Sequence, residues 1–142
     1  MIYKKNRLIL DGVDLAFLGR KFKTPLYCYS FKKIRDNILN LKKHFKNIDP
    51  LICYAVKANP NSNILKEIKK FNLGADVVSI GELMRALKSG IDPQKIVFSG
   101  VGKTTAEIEY AINKNILLIN SESKSEILEI EKIAKAKKKI VN

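Results

Sequence analysis

The feature that most constrains this chain is a spacing. Short apolar runs begin at Ile52, Ala75, Ile96, Ile116 and Ile140, which places their starts 23, 21, 20 and 24 residues apart. Each gap is filled by a segment with helical character. A strand followed by a helix at this interval is a repeating βα unit, and the helical crossover returns the chain to the same end of the sheet, so the strands pair in parallel. The helix starts agree with the strands. Ser79-x-x-Glu82, Thr104-x-x-Glu107 and Ser123-x-x-Glu126 each match a capping box directly after a run, in which the hydroxyl accepts from an orphan amide and the glutamate reaches back to the cap. The remaining helix start, after the first run, carries Pro60 and Ser62, both suited to a first turn. Before the repeat, Phe31, Ile34, Ile38, Leu41 and Phe45 alternate steps of three and four behind Ser30, which predicts an amphipathic helix over 31–45 with Ser30 as its cap.

Four βα units suit a doubly wound sheet or half of an eight-stranded barrel. A doubly wound nucleotide-binding fold carries a glycine-rich phosphate loop after its first strand, and here that place holds "KANPNSN", without a glycine. A second candidate loop, "VFSGVGKT" at 97–104, ends in Gly-Lys-Thr after a run and before a helix. The P-loop spacing needs a glycine where Val97 stands, so the amides of this loop do not form the same phosphate cradle. The fold class expected is therefore α/β: half of a (β/α)8 TIM-type barrel, about four βα units preceded by an amphipathic helix, which the resemblance given below makes the N-terminal half. Residues 1–29 form a lead-in strand and extended segment, and 30–142 a partial barrel domain.

Composition narrows the function classes. The longest apolar run, Leu51 to Val56, is far short of a membrane span, and the N-terminus interrupts its apolar residues with charge, unlike a secretory signal; the expected location is cytoplasmic, with no membrane partner. The net charge of +13 raises nucleic acid as a partner. The excess is mostly lysine on polar helix faces, with four arginines and no aromatic residues interleaved, and a solvated surface with no nucleic-acid partner is the reading preferred. "KAKKKI" closes a helix, where cations suit the dipole. Cys28 and Cys53 sit in apolar stretches and read as reduced core thiols, and the single His44 beside a helix stripe reads as non-catalytic. No metal site is expected.

One residue in the repeat asks for chemistry. In "YAVKANPN", residues 54–61, a lysine closes an apolar run just before an Asn-Pro turn. Strand alternation sets Ile52, Tyr54 and Val56 on one face and Cys53, Ala55 and Lys57 on the other. In a barrel the second set is small until Lys57, which would rise into the C-terminal mouth where barrel enzymes keep their reactive groups. An amine there can lose its proton and form an imine with an aldehyde. The spacing is equally compatible with a surface lysine whose stem covers the rim.

"YAVKANPN", "GADVVSIGELMRALKSGI", "KIVFSGVGKT" and "INSESKSEILEI", in this order, resemble the N-terminal part of the diaminopimelate decarboxylase family, pyridoxal-phosphate decarboxylases with an alanine-racemase-like barrel. The lead-in "LILDGVDLAFLGRKFKTPLYCYS" is similar as well. The lysine motif alone is shared with ornithine decarboxylases and alanine racemases; "GADVVSIGEL" together with "FSGVGKT" points to diaminopimelate.

The resemblance implies pyridoxal 5'-phosphate as cofactor, held as a Schiff base on Lys57, with Asp76 a catalytic and cofactor-binding acid beside it. A buried aspartate satisfying loop amides is the plainer role for Asp76, and Glu82, which also matches a family position, is read as a cap first. It further implies decarboxylation of meso-2,6-diaminopimelate to L-lysine and carbon dioxide, the last step of lysine biosynthesis, by a homodimer. The family's phosphate-binding segment, ring-stacking residues and C-terminal β domain would lie beyond Asn142, so the 142 residues alone are expected to be inactive or nearly so. Arg7 to Leu10 is expected to lack a strand partner, because in the family it lies in that second domain. The alternatives are a non-catalytic half-barrel that binds pyridoxal phosphate or a partner, a related decarboxylase acting on ornithine or arginine, and a basic nucleic-acid binder.

Overall fold

The computed structural model describes residues 1–45 and 47–142. The chain divides into two compact units, Met1–Asn47 and Ile48–Asn142.

In the first unit the backbone turns twice on left-handed residues. β1 (Ile2–Lys4) reaches β2 (Arg7–Leu10) through Lys5 and Asn6, both at positive φ, and β2 reaches β3 (Val13–Asp14) through Asp11 and Gly12, also both positive. Two consecutive residues at positive φ are the backbone of a tight hairpin, because their twist matches that of the flanking strands. The result is a three-stranded antiparallel sheet of order β1-β2-β3. This corrects the expectation that Arg7–Leu10 lacks a partner: it pairs on both sides, with Ile2 opposite Ile9 and Leu10 opposite Val13. Asp14 then accepts from the Ala16 amide at 2.8 Å and starts α1 (Leu15–Phe22), where an extended lead-in is expected from sequence. α2 (Phe31–His44) begins at Ser30, whose hydroxyl accepts from the Lys33 amide at 2.9 Å, and it buries Ile38. Cys28 is exposed rather than a core thiol, because the stretch before α2 is irregular surface backbone.

The second unit carries the repeat. β4 (Cys53–Ala55), β5 (Gly74–Val77), β6 (Ile96–Phe98) and β7 (Leu118–Ile119) form one parallel sheet in sequential order. A strand order that advances in one direction without reversal is that of a barrel wall; a doubly wound sheet reverses at its switch point. The helices between and after the strands are α3 (Ser62–Lys70), α4 (Ile80–Lys88), α5 (Thr105–Asn113) and α6 (Lys124–Lys137). They bury Leu65, Leu83, Ile108 and Ile133 together with Ala75, Val77, Ile96, Phe98 and Ile119 of the strands. Each large side chain so enclosed contributes about 1.5–3 kcal/mol relative to exposure.

All three expected glutamate caps form, but differently. Thr104 and Glu107 make the reciprocal box. Ser79 and Ser123 accept from Glu82 and Glu126 as expected, while those carboxylates reach one residue further back, to the amides of Val78 (2.9 Å) and Glu122 (2.7 Å). α3 is capped by Asn61, and Ser62 is its first residue. The fifth run is not a strand; the Ile119 amide nevertheless donates to the Asn142 carbonyl at 2.9 Å, so this segment lies against β7.

Candidate functional site at the C-terminal ends of the parallel strands

Lys57 does not stand on a strand. β4 ends at Ala55, and Val56–Ala58 form one turn of 3-10 helix. The alternation inferred from sequence therefore stops two residues early: Val56 turns inward and is fully buried, while Lys57 is exposed on the other side of the turn. The cause is the Asn-Pro pair. A residue before proline is pushed to extended backbone, and Asn59 sits at φ −164, ψ 107, which ends the turn at Ala58. The turn is held locally. Tyr54 donates its hydroxyl to the Asn59 carbonyl at 3.2 Å, and Asn59 Oδ1 accepts from the Asn61 amide at 3.0 Å. Among the described residues the Lys57 amine makes no hydrogen bond or ion pair.

The side of the sheet away from the helices carries the second sequence-predicted residue. Ala75 and Val77 of β5 are buried, so their neighbour Asp76 faces the other way, level with Ala55 of β4 and Val97 of β6. The Ser99 hydroxyl donates to Asp76 Oδ1 at 2.6 Å, and the Asn120 side-chain amide donates to Ser99 Oγ at 3.0 Å. Three polar groups at the ends of three successive strands are thus linked in one direction, from Asn120 through Ser99 to the carboxylate. Neither Ser99 nor Asn120 is picked out by sequence reasoning. The signal available is positional: each is the first polar residue after its apolar run.

Below Asp76 the sheet is packed to its limit. A Cβ on Gly74 would stand 2.2 Å from the Lys95 carbonyl oxygen and 2.8 Å from Cys53 Sγ. Burial, and next the Asp76 charge, push the Cys53 thiol above its usual range, so the thiol stays protonated and its sulfur lies 3.8 Å from the Lys95 carbonyl.

The loop after β6 is not a phosphate cradle. Gly100 and Gly102 both take positive φ, and Lys103 folds inward. Its side chain is 1% exposed; it donates to the Gly100 carbonyl at 2.6 Å, pairs with Glu126 at 3.0 Å and lies 5.8 Å from the Phe98 ring centre. Desolvation pushes the Glu126 carboxyl up, but the Glu122 amide and Lys103 outweigh it and hold the group below its usual value. Glu107 is lowered too, first by the Thr104 amide, against desolvation, and then by the Ile80 amide, which donates to it at 3.1 Å across to α4. Glu82, with one oxygen on the Val78 amide, serves as a helix cap. His44 lies on α2 in the first unit, its Nδ1 2.8 Å from the Asn40 carbonyl.

An unpaired amine at a strand end and an oriented carboxylate on the next strand are groups suited to holding a carbonyl compound. They fit the aldehyde end of pyridoxal phosphate: the Lys57 amine has no competing partner among the described residues, and Ala55, level with Asp76 on the neighbouring strand, carries only a methyl group there. Among the described residues no helix is long and apolar enough to cross a membrane.

Comparison with known proteins bears on this geometry. The curated diaminopimelate decarboxylase of Helicobacter pylori (strain J99) is 54% identical over 119 residues, which are 84% of this chain and 29% of that protein. The crystal structure of the H. pylori diaminopimelate decarboxylase complexed with L-lysine superposes with a TM-score of 0.84 at 50% identity, covering 88% of this chain and 32% of that one. The M. jannaschii diaminopimelate decarboxylase in co-complex with L-lysine gives 0.90 at 39% identity, covering 98% and 33%. The chain thus spans about a third of the length of the relatives it matches. The family model of the pyridoxal-dependent decarboxylases, pyridoxal binding domain, matches residues 31–142, a span that takes in Lys57, Asp76 and all four parallel strands, and the chain belongs to that family.

Proposed function

We propose that this chain is the N-terminal portion of a diaminopimelate decarboxylase, which converts meso-2,6-diaminopimelate to L-lysine and carbon dioxide. The observation that carries the reading is Lys57: an amine without a partner among the described residues, presented by a tight turn at the C-terminal end of β4 in a chain of this family. Residues 1–29 would be the lead-in and 30–142 the partial pyridoxal-binding barrel.

Pyridoxal phosphate, when bound, supplies an electron sink for the pair left as carbon dioxide departs. Lys57 would hold it at the aldehyde, and the exposed position of the turn gives the amine room to let go and return. Asp76 would accept a hydrogen bond from a nitrogen donor above the sheet and keep that donor charged and oriented. Buried Val56 beside Lys57, and buried Ala75 and Val77 on either side of Asp76, anchor the backbone that carries both groups. The whole protein is inferred to act as a cytoplasmic homodimer on its small-molecule substrate, without nucleic acid or membrane.

The test is made on the whole protein. Borohydride reduction in the presence of pyridoxal phosphate should attach the label to the peptide containing Lys57, and release of carbon dioxide from meso-diaminopimelate should vanish with Lys57→Ala. Labelling of another lysine, or turnover that survives the substitution, would overturn the assignment. Labelling without turnover of diaminopimelate, ornithine or arginine would favour a non-catalytic pyridoxal-phosphate-binding module.

A further inference from the structure

Asp76 is not merely near the candidate site; it is aimed. A carboxylate on a strand end can rotate about its last bond, and its two oxygens are equivalent until something distinguishes them. Here Oδ1 accepts from the Ser99 hydroxyl at 2.6 Å, the length of a charge-assisted bond. The hydroxyl itself cannot turn away, because its oxygen accepts from the Asn120 amide at 3.0 Å and its one proton is already given to Asp76. Among the described residues, Oδ2 accepts from no protein group.

The placement has no simpler packing explanation. Phe98 and Ile119, the residues before Ser99 and Asn120, point to the helices and are buried, so alternation turns both polar residues to the face that carries Asp76. The backbone of this stretch is satisfied without them: the Ser99 amide donates to the Val77 carbonyl at 2.8 Å and the Asn120 amide to the Phe98 carbonyl at 2.9 Å. The side chains are therefore spare, and they are spent on each other and on Asp76.

We propose that Ser99 and Asn120 are positioning residues for the decarboxylase site, a two-member chain of donors that fixes the Asp76 carboxylate so that Oδ2 is presented to a nitrogen donor at the mouth. The inference rests on the functional reading of Lys57 and Asp76 given above. Ser99 acts directly on the carboxylate, and Asn120 acts through Ser99 by fixing which way its proton points.

The experiment uses the whole protein with Ser99→Ala, Ser99→Thr, Asn120→Ala and the Ser99→Ala/Asn120→Ala double variant. Three readouts are taken: kcat and KM for meso-diaminopimelate, the visible circular dichroism of bound pyridoxal phosphate, and borohydride labelling at Lys57. Ser99→Ala should lower kcat about tenfold with little change in KM, as loss of orientation does, and should alter the dichroism. Ser99→Thr, which keeps the hydroxyl, should restore both. Asn120→Ala should have a smaller effect in the same direction, and the double variant should be no worse than Ser99→Ala, because removing Ser99 already cuts the chain. Unchanged kcat and dichroism in Ser99→Ala, a threonine variant no better than alanine, or single effects that multiply would each overturn the proposal. Should Ser99→Ala not fold, Ser99→Thr and Asn120→Ala still decide: normal dichroism and kcat in Asn120→Ala refute the chain. If labelling falls on a lysine other than Lys57 in the unsubstituted protein, the functional reading itself has failed, independently of Ser99.

Discussion

The two faces of the same four-stranded sheet differ in what they are made of and in what they can lose. On the helix side, Ala75, Val77, Ile96 and Phe98 are wholly enclosed. On the other side, Cys53, Ala55, Asp76, Val97 and Ser99 are only half-buried, and hydrogen bonds rather than packing set the positions of the polar ones. A face built from dispersion and burial tolerates little change in volume. A face built from directed polar contacts is sensitive to the loss of a donor. One sheet can thus carry stability and chemistry at once, because side-chain alternation sends the two jobs to opposite sides.

The largest effect expected is on the helix side. Phe98→Ala should destabilise the protein by about 3–5 kcal/mol, the usual cost of emptying a large core site, read from denaturant unfolding; a loss comparable to that of a surface substitution would break the distinction between the faces. Gly74→Ala sharpens it from the other side. Gly74 lies on the strand that carries Asp76 and on the same face, yet a methyl there meets the Lys95 carbonyl and Cys53 Sγ, so about 1–3 kcal/mol or more should be lost to strain. A Gly74→Ala protein as stable as the parent would show that the sheet yields where it is drawn tight.

Asp76→Asn should leave stability nearly unchanged and should lower the pH at which Cys53 becomes reactive. The Asp76 charge is the second cause of the raised thiol value, so its removal brings the value down while burial still holds it above the usual range. The check is the pH dependence of thiol modification in a Cys28→Ser background, since Cys28 is exposed; an unchanged profile would mean that the carboxylate does not reach the sulfur.

The smallest effect expected is at Glu107. Its folded value is depressed, so its contribution is present above the unfolded carboxylate value of about 4.3 and is lost as pH falls through the depressed folded value. Glu107→Gln should cost under about 1 kcal/mol near neutrality, as for a largely solvated group, and should reduce the loss of thermal stability in that acid window. A variant that loses stability as steeply as the parent there would mean that the cap on α5 and its reach to α4 are not held by the ionised carboxylate.

Much of the architecture is legible in the residues. The interval between apolar runs finds all four parallel strands, and Ser30, Ser79, Thr104 and Ser123 are each identifiable as caps. The hairpin at Asp11-Gly12 is equally legible in its own turn residues, and only the expectation that Arg7–Leu10 belongs to a second domain hides it. The site is legible in part. Lys57 announces itself as a charge at the end of an apolar run; that it stands on a 3-10 turn depends on Val56 finding a fully enclosed place in the core. Lys103 reads as the lysine of a Gly-Lys-Thr loop that misses the phosphate-binding spacing, and only the α6 cap brings Glu126 to it.

What the sequence determined by itself is what acts between near neighbours along the chain: periodicity, capping, the extended backbone that Pro60 imposes on Asn59, and the alternation that splits each strand into two faces. What the tertiary structure decided is which groups from successive βα repeats meet. Asp76, Ser99 and Asn120 are 23 and 21 residues apart along the chain, and they touch only because parallel pairing stacks successive strands in register. A hydrogen bond needs its partners within about 3 Å, and no property of a single βα unit says which residue of the next one will stand there.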